Sequence, residues 1–408
     1  MLEHLRIIEL GQVIAGTFGG MILSDLGAEV IKVEPPSGDA GRRSAIYGID
    51  DESAIHLTHN RNKKSVVLDL KTDEGRSVLF DLIATADAVV ENFRPGVIDR
   101  LGVGFEWMRQ ANPDVVLVSV SGFGQDSPYR DLPAYDLILQ AMTGHMSIMG
   151  EPERPPVIMG IPIADLLAGV FSSIAVLAGV AGRDRTGKGE HFDIAMFDVM
   201  VQMLAHVGTL FLNTGTDQEP QGSAHPFITP WQAFECADGL YVVVAPREEH
   251  FWDRLCEALE APDLAADPSF ADARSRQANR GRLLPRLEGI FRSRDAAAWL
   301  EALHAAGVPT ARVNRMGEVF ADPNVQARDM VRSFIVNGTE MRAVGNAIKI
   351  QGRHEGDPTP PPALGGDTET LLRSLLHYDD DHIETLRGAG AFGAGPPVPT
   401  GDAKGGVT

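Results

Sequence analysis

The sequence predicts an α/β protein in which a parallel sheet covered by helices is joined to a smaller α+β domain. Short β-rich runs alternate with helical patterns through the first half, a βαβα rhythm. A polar Gly/Pro stretch at 215–230 is followed by a change of character from Trp231. A chain of 408 residues has room for two domains, at roughly 100–200 residues each.

The elements read in order as follows. Arg6–Leu10 is a strand, Gly16–Leu26 has helical spacing, and Glu29–Val33 is a second strand. Ser65–Leu68, Ala88–Glu91 and Val115–Val120 are further strands. Asp73–Ala84 is a helix with Asp73 at its N-cap and Val78, Leu79, Leu82 and Ile83 on one stripe. Ala164–Ala181 is helical and stops at Gly182, Glu190–Ile194 is a strand, and Met196–Leu212 is one helix. In the second domain, strands at Trp231–Cys236 and Leu240–Val244 flank a turn at Asp238-Gly239. Helices follow at Glu248–Leu259, Arg280–Phe291 and Ala296–Ala306. The section 330–386 has short strands and a helix at Thr368–Leu376, and 387–408 is expected to be a flexible tail, too poor in large apolar residues to offset ordering. The expected boundaries are 1–214, 215–329, 330–386 and 387–408.

Composition excludes several classes. A net charge of −20 is a poor match to sequence-independent nucleic-acid binding, although a local basic pocket still suits a phosphorylated small ligand. Two cysteines, Cys236 and Cys256, form neither a disulfide framework nor a zinc pattern. No secretory leader is recognisable, and the apolar run Ile161–Val180 is punctuated by Pro162, Asp165 and Gly169, so a cytoplasmic protein outside the membrane is expected.

Several motifs fail on detail. The run 182–188 nearly spells a phosphate-binding loop, but Gly189 stands where Ser or Thr would hold magnesium. Gly16, Gly19 and Gly20 are misspaced for a dinucleotide fingerprint. His56 and His59 have no acidic companions and read as an exposed pair, so no metal is expected. Asp165 stands out, in the first turn of its helix among Ile161, Ile163, Ala164, Leu166, Leu167 and Ala168. A carboxylate there answers the helix dipole. Equally, one set among apolar neighbours is costly unless used, and desolvation would sharpen it as a nucleophile. The residues alone leave both readings open.

Seven segments in order resemble family III CoA-transferases, also called the CaiB/BaiF family. They are 25–36 (DLGAEVIKVEPP), 60–65 (NRNKKS), 90–96 (VENFRPG), 119–125 (SVSGFGQ), 134–136 (AYD), the Asp165 segment and 186–190 (TGKGE). The resemblance spans about 3–386. It implies a Rossmann-like large domain completed by the C-terminal segment, a small domain, and an interlocked homodimer. It also implies Asp165 as nucleophile, with coenzyme A as substrate and no prosthetic group. CoA would lie across Ile14 and Ala15, across Leu68, Asp69, Leu70 and Lys71, and across Asn92, Phe93 and Arg94. Arg100, Leu132, Pro133, Ala134 and Tyr135 would complete its site. Lys71, Arg94 and Arg100 suit phosphates, although Arg94 equally suits a surface salt bridge.

Formyl-CoA transferases of this family carry Gln at the position of Ile14 and a glycine-rich loop where this chain reads Gly222-Ser-Ala-His225. That difference argues against an oxalate/formate pair and for succinyl-CoA and other dicarboxylic acids, with His225 either near the acyl group or simply a loop histidine. The implied reaction relays the acyl group and then CoA through Asp165. The rival within the fold is an α-methylacyl-CoA racemase, which needs a histidine as second acid/base. Tyr135 stands at that position here, and a phenol near pKa 10 is a poor partner at neutral pH. A CoA-binding subunit of a heteromeric transferase is the non-catalytic alternative, and intact Asp165 speaks against it.

Overall fold

A computed structural model describes residues 1–43, 48–49, 52–352 and 356–393. The chain forms two compact units. The first comprises 1–143, 159–205 and 327 onward; the second comprises 144–158 and 206–326.

The first unit is built on six parallel strands: β1 (Arg6–Glu9), β2 (Glu29–Glu34), β3 (Lys64–Val67), β4 (Ala88–Glu91), β5 (Val116–Ser121) and β6 (His191–Ala195). Their order is β3-β2-β1-β4-β5-β6, the doubly wound arrangement of a Rossmann sheet. Alternate side chains feed two cores. Ile8, Ile31, Val89 and Leu117 pack on Val78, Leu79, Leu82 and Ile83 of helix α3 (Asp73–Ala84). Ile7, Val30, Ala88, Val90 and Val118 face the other way, onto α1 (Ala15–Asp25) and α5 (Ile163–Thr186). Between them lie the short α2 (Ala54–His59) and α4 (Asp136–Met142); α6 (Met196–Met203) follows β6. Helices α1 and α5 touch through glycine: a Cβ on Gly19 would stand 2.2 Å from Ser172 Oγ and 2.5 Å from the Gly169 carbonyl.

The outer edge of β3 is closed by the far end of the chain. Ser65 N–H donates to Asp367 Oδ2 at 2.9 Å and Val67 N–H to Thr368 Oγ1 at 3.1 Å. Asp69 N–H donates to the Ala391 carbonyl at 2.8 Å. A two-stranded hairpin, 331–336 against 339–344, turns on Asn337-Gly338 with both φ positive (51° and 83°), as a tight two-residue hairpin requires.

The second unit carries a three-stranded antiparallel sheet of β7 (Gln232–Glu235), β8 (Tyr241–Val244) and β9 (Thr310–Arg312), in the order β9-β8-β7. Phe234 stacks on Phe291 at 4.6 Å, with Trp252, Leu255 and Trp299 in the same core. Cys236 and Cys256 are buried free thiols within it.

Several expectations need correction. Thr72, not Asp73, caps α3: its side chain accepts the Gly75 N–H, and Asp73 falls in the first turn. Gly182 does not end α5, which runs on to Thr186 and stops where Gly187 takes a φ of 68°. Nor do Pro162 and Gly169 interrupt it: one is its N-cap and the other is buried inside it. By length and composition α5 could cross a membrane, and half of its apolar window is buried within the protein. The helix expected over 196–212 is two, broken where Ala205 has a φ of 46°. The first residues of the segment expected to be flexible are ordered: the helix 380–388 runs into it and Ala391 is fully buried. Residues 394–408 of that tail lie outside the described residues.

Candidate active site

In an open parallel sheet the ligand crevice forms where the strand order reverses, outside the carboxyl ends of the strands. Here that point lies between β1 and β4. The loop after β1 is fixed from below. Glu9 is fully buried and faces two buried ammonium groups, Lys63 Nζ at 2.8 Å and Lys32 Nζ at 3.3 Å. Lys32 also reaches the Gly11 carbonyl at 2.6 Å and Asp39 Oδ2 at 2.9 Å. Asp39 in turn accepts the N–H of Val13, whose φ is 60°. Burial pulls Lys63 down to about 8 despite its contact with Glu9. A methyl on Gly20 would stand 1.9 Å from Glu9 Oε2, so glycine makes room for this buried carboxylate beside α1.

Across the switch point Asn92 clasps the same loop. Its Oδ1 accepts the Gln12 N–H at 2.8 Å and its Nδ2 donates to the Gln12 carbonyl at 3.0 Å. A cavity of about 150 Å³ opens here. Ala15, Asn92, Phe93, Arg94, Leu132, Ala134, Tyr135 and Asp165 of the anticipated residues line it, together with Ser121, Phe123, Arg130 and Met196. Ile14, Pro133, Arg100 and the turn Leu68 to Lys71 are not among its walls. Arg100 nevertheless converges with Arg130: a Cβ on Gly96 would lie 3.3 Å from Arg100 Nη1 and 3.6 Å from Arg130 Nη2. Arg130 reaches a carboxylate only loosely, Asp131 at 3.9 Å. An otherwise acidic protein therefore gathers guanidinium groups around this opening, as an anionic ligand requires.

Asp165 lies in the first turn of α5 and is largely buried. Among the described residues nothing hydrogen-bonds or ion-pairs with its carboxylate. Burial, and then the charge of Asp136, push it up from 3.8 to about 7. A carboxylate left unpaired in a cavity and poised near neutrality is a reactive group in waiting. Tyr135 is 74% exposed at the cavity wall. His225 belongs to the second unit, where its Nδ1 accepts the Phe227 N–H at 3.1 Å and its ring lies against Trp231 at 5.3 Å.

His56 and His59 are buried, not exposed, at 4% and 6%. Arg42 Nη1 lies 3.1 Å from His56 Nε2 and His59 Nδ1 lies 3.3 Å from the Val13 carbonyl; burial holds both rings down to about 4, hence neutral. Among the described residues no group of three or more His, Cys, Asp or Glu is placed to hold a metal. Sequence reading missed Arg130 as a wall residue. Its signal was weak: one arginine in the polar run before Leu132. A second cavity of about 170 Å³ lies beside Asp25 and Arg61, which pair with each other at 2.6 Å.

A switch-point cavity with converging arginines and a largely buried carboxylate suits an anionic ligand. The sequence pattern of CoA-transferase family III matches residues 2–368, and the chain belongs to that family. It is 38% identical over 360 residues to the acetyl-CoA:oxalate CoA-transferase of Acetobacter aceti, covering 88% of this chain and 91% of that one. It is 38% identical over 359 residues to the succinyl-CoA:mesaconate CoA-transferase of Haloarcula hispanica, covering 86% and 90%. The crystal structure of a CaiB/BaiF family protein from Brucella suis superposes with a TM-score of 0.82 at 34% identity, over 92% of this chain and 99% of that one. The protein is thus an enzyme that transfers CoA, with CoA thioesters as substrates.

Proposed function

We propose that the enzyme exchanges CoA between succinyl-CoA, or another short dicarboxylyl-CoA, and a free carboxylic acid, with Asp165 as covalent carrier. The observation that carries this is the largely buried Asp165 carboxylate, unpaired among the described residues, in one cavity with Arg94, Arg130 and Tyr135. Asp165 Oδ attacks the donor thioester carbonyl; the C–S bond breaks, leaving a mixed anhydride and CoA thiolate. The thiolate attacks the aspartyl carbonyl, and the donor leaves as a carboxylate. The resulting aspartyl-CoA thioester is attacked by the acceptor carboxylate, releasing thiolate again. Thiolate then attacks the acceptor's acyl carbon, forming the new thioester and restoring Asp165. The relay replaces one difficult displacement by easier steps, and water must stay out.

The first unit, with 330–386 completing it, is the CoA-binding body in this reading. CoA runs over Ala15, Asn92, Phe93 and Arg94, and its phosphates extend toward Arg100 and Lys71. Two chains form a homodimer in the cytoplasm. The dicarboxylate preference draws on the mesaconate relative and on the segment around His225, which we assign to the acceptor acid. The oxalate relative places oxalate and acetyl-CoA in the test as well.

The test incubates the protein with succinyl-CoA, acetyl-CoA or formyl-CoA and a panel of free acids, and reads CoA products by mass spectrometry. New acyl-CoA species are expected with succinyl-CoA and a dicarboxylic acceptor. His225→Ala is expected to raise the acceptor KM several-fold and leave the donor KM within about twofold. The transferase reading fails if no donor yields exchange. The assignment of His225 fails if both KM values stay put.

A further inference from the structure

Asp136 touches both the segment that leads into α5 and the field around Asp165. Its Oδ1 accepts the Ala164 N–H at 2.6 Å, one residue before Asp165. Its other oxygen accepts from Gln140 Nε2, and Gln140 Oε1 accepts the Met159 N–H at 2.9 Å. No side chain of its own caps α5, whose N-cap is Pro162. One of its free N–H groups is thus answered from α4, where a negative charge is favoured by the helix dipole. The clamp closes at a sensitive place. The chain leaves the first unit after Thr143 and rejoins it at Met159, so Asp136 and Gln140 set how it feeds into the helix that carries Asp165.

We propose that Asp136 is the positioning residue of the nucleophile: it ties the first turn of α5 to α4 and sets its own negative charge against that of Asp165. The proposal rests on the reading of Asp165 as nucleophile. Two like charges near one another disfavour ionisation of the more buried one. That raises the basicity, and so the nucleophilicity, of the carboxylate that has to attack the thioester. The other charged or titratable groups lining the same cavity are Arg94, Arg130 and Tyr135, and Asn92 and Ser121 are neutral polar ones. Of the charged groups, Asp136 is the one whose field bears on Asp165. Met196, from α6, is apolar.

Asp136→Asn removes the charge and the acceptor of Gln140 Nε2 but keeps an oxygen for the Ala164 N–H. Gln140→Ala, which removes the Gln140 contact and leaves the charge, isolates the electrostatic part. Asp136→Ala removes the charge and both acceptors. The carboxyl titration of Asp165 is followed by 13C NMR on aspartate-labelled protein and assigned with Asp165→Asn. Exchange of the Ala164 amide proton is followed in parallel. In Asp136→Asn the Asp165 midpoint is expected to move to lower pH by roughly half a unit or more. The acid limb of kcat for CoA exchange should move with it, at an acyl-CoA KM within about twofold of the parent. In Asp136→Ala the Ala164 amide is expected to exchange at least about tenfold faster. An unmoved Asp165 midpoint in Asp136→Asn overturns the electrostatic half, and an unchanged Ala164 amide in Asp136→Ala overturns the anchoring half. Absence of CoA exchange in the unmodified enzyme would instead strike the reading of Asp165, since the titration and the amide exchange need no activity.

Discussion

Asp165→Ala should reduce CoA exchange by at least about a thousandfold while acyl-CoA still binds within a few-fold of the parent affinity. Removing a covalent nucleophile leaves only binding and orientation, and such losses are of that order. Among the described residues, Asn92, Phe93 and Arg94 of the cavity walls that would hold CoA make no hydrogen bond or ion pair with the Asp165 side chain, and Asn92 is held instead by Gln12. Single-turnover exchange and binding of a non-reactive CoA thioether give the two halves of this result. A variant that exchanges CoA within about tenfold of the parent sinks the covalent relay.

The pH dependence follows with a definite sign. Burial, then Asp136, raise Asp165 from 3.8 to about 7, and in the proposed relay only the ionised form attacks. The chemical step should rise through pH about 7 and fall about tenfold per unit on the acid side. The same shift works against stability. Between 3.8 and about 7 the folded chain binds a proton that the unfolded chain has lost, so stability falls as pH rises across that window. Asp165→Asn is therefore expected to be more stable than the parent at pH 8, by about 2–4 kcal/mol, and indistinguishable near pH 4. Urea denaturation at the two pH values measures it. Equal stability of the two proteins at pH 8 would mean that the carboxylate is not desolvated.

Glu9→Ala carries the second large effect. Its carboxylate is fully buried and shared by Lys32 and Lys63, whose ammonium groups are also inaccessible. Deleting one member of a buried ionic group leaves charge without compensation and costs about 3–5 kcal/mol. Lys63 is already depressed to about 8, so it can shed its proton and soften the loss as pH rises. The deficit should be largest near pH 6 and smaller at pH 9. Denaturation midpoints at both pH values check this, and a deficit under about 1 kcal/mol at pH 6 would show that water reaches the site.

The sheet was legible in the sequence because its strands are short apolar runs punctuated by helices: Glu29–Val33 and Ala88–Glu91 sit within a residue of their observed bounds. Strand order was not, since it depends on which edges pair at a distance. The exposed reading of His56 and His59 failed for the same reason. They are covered partly by Arg42 and the backbone of Val13, which no local pattern reveals. The break at Ala205 falls within a run of helical spacing, and Gly182 is tolerated inside α5, so neither bound carries a local signal. Asp165 was visible as an acid among apolar residues, but its lack of a partner among the described residues is a property of the fold.

The closing of β3 by Asp367, Thr368 and Ala391 has a consequence for the birth of the protein. Ser65 and Asp367 are 302 residues apart. At about 5–20 residues per second, a ribosome needs tens of seconds between making the strand and making its cover. Throughout that interval an edge of unsatisfied N–H groups would be open to any passing strand, the usual seed of aggregation. In a cell that overproduces this enzyme, yield should therefore depend on the pace of translation and on chaperone supply in that window, before any substrate is met.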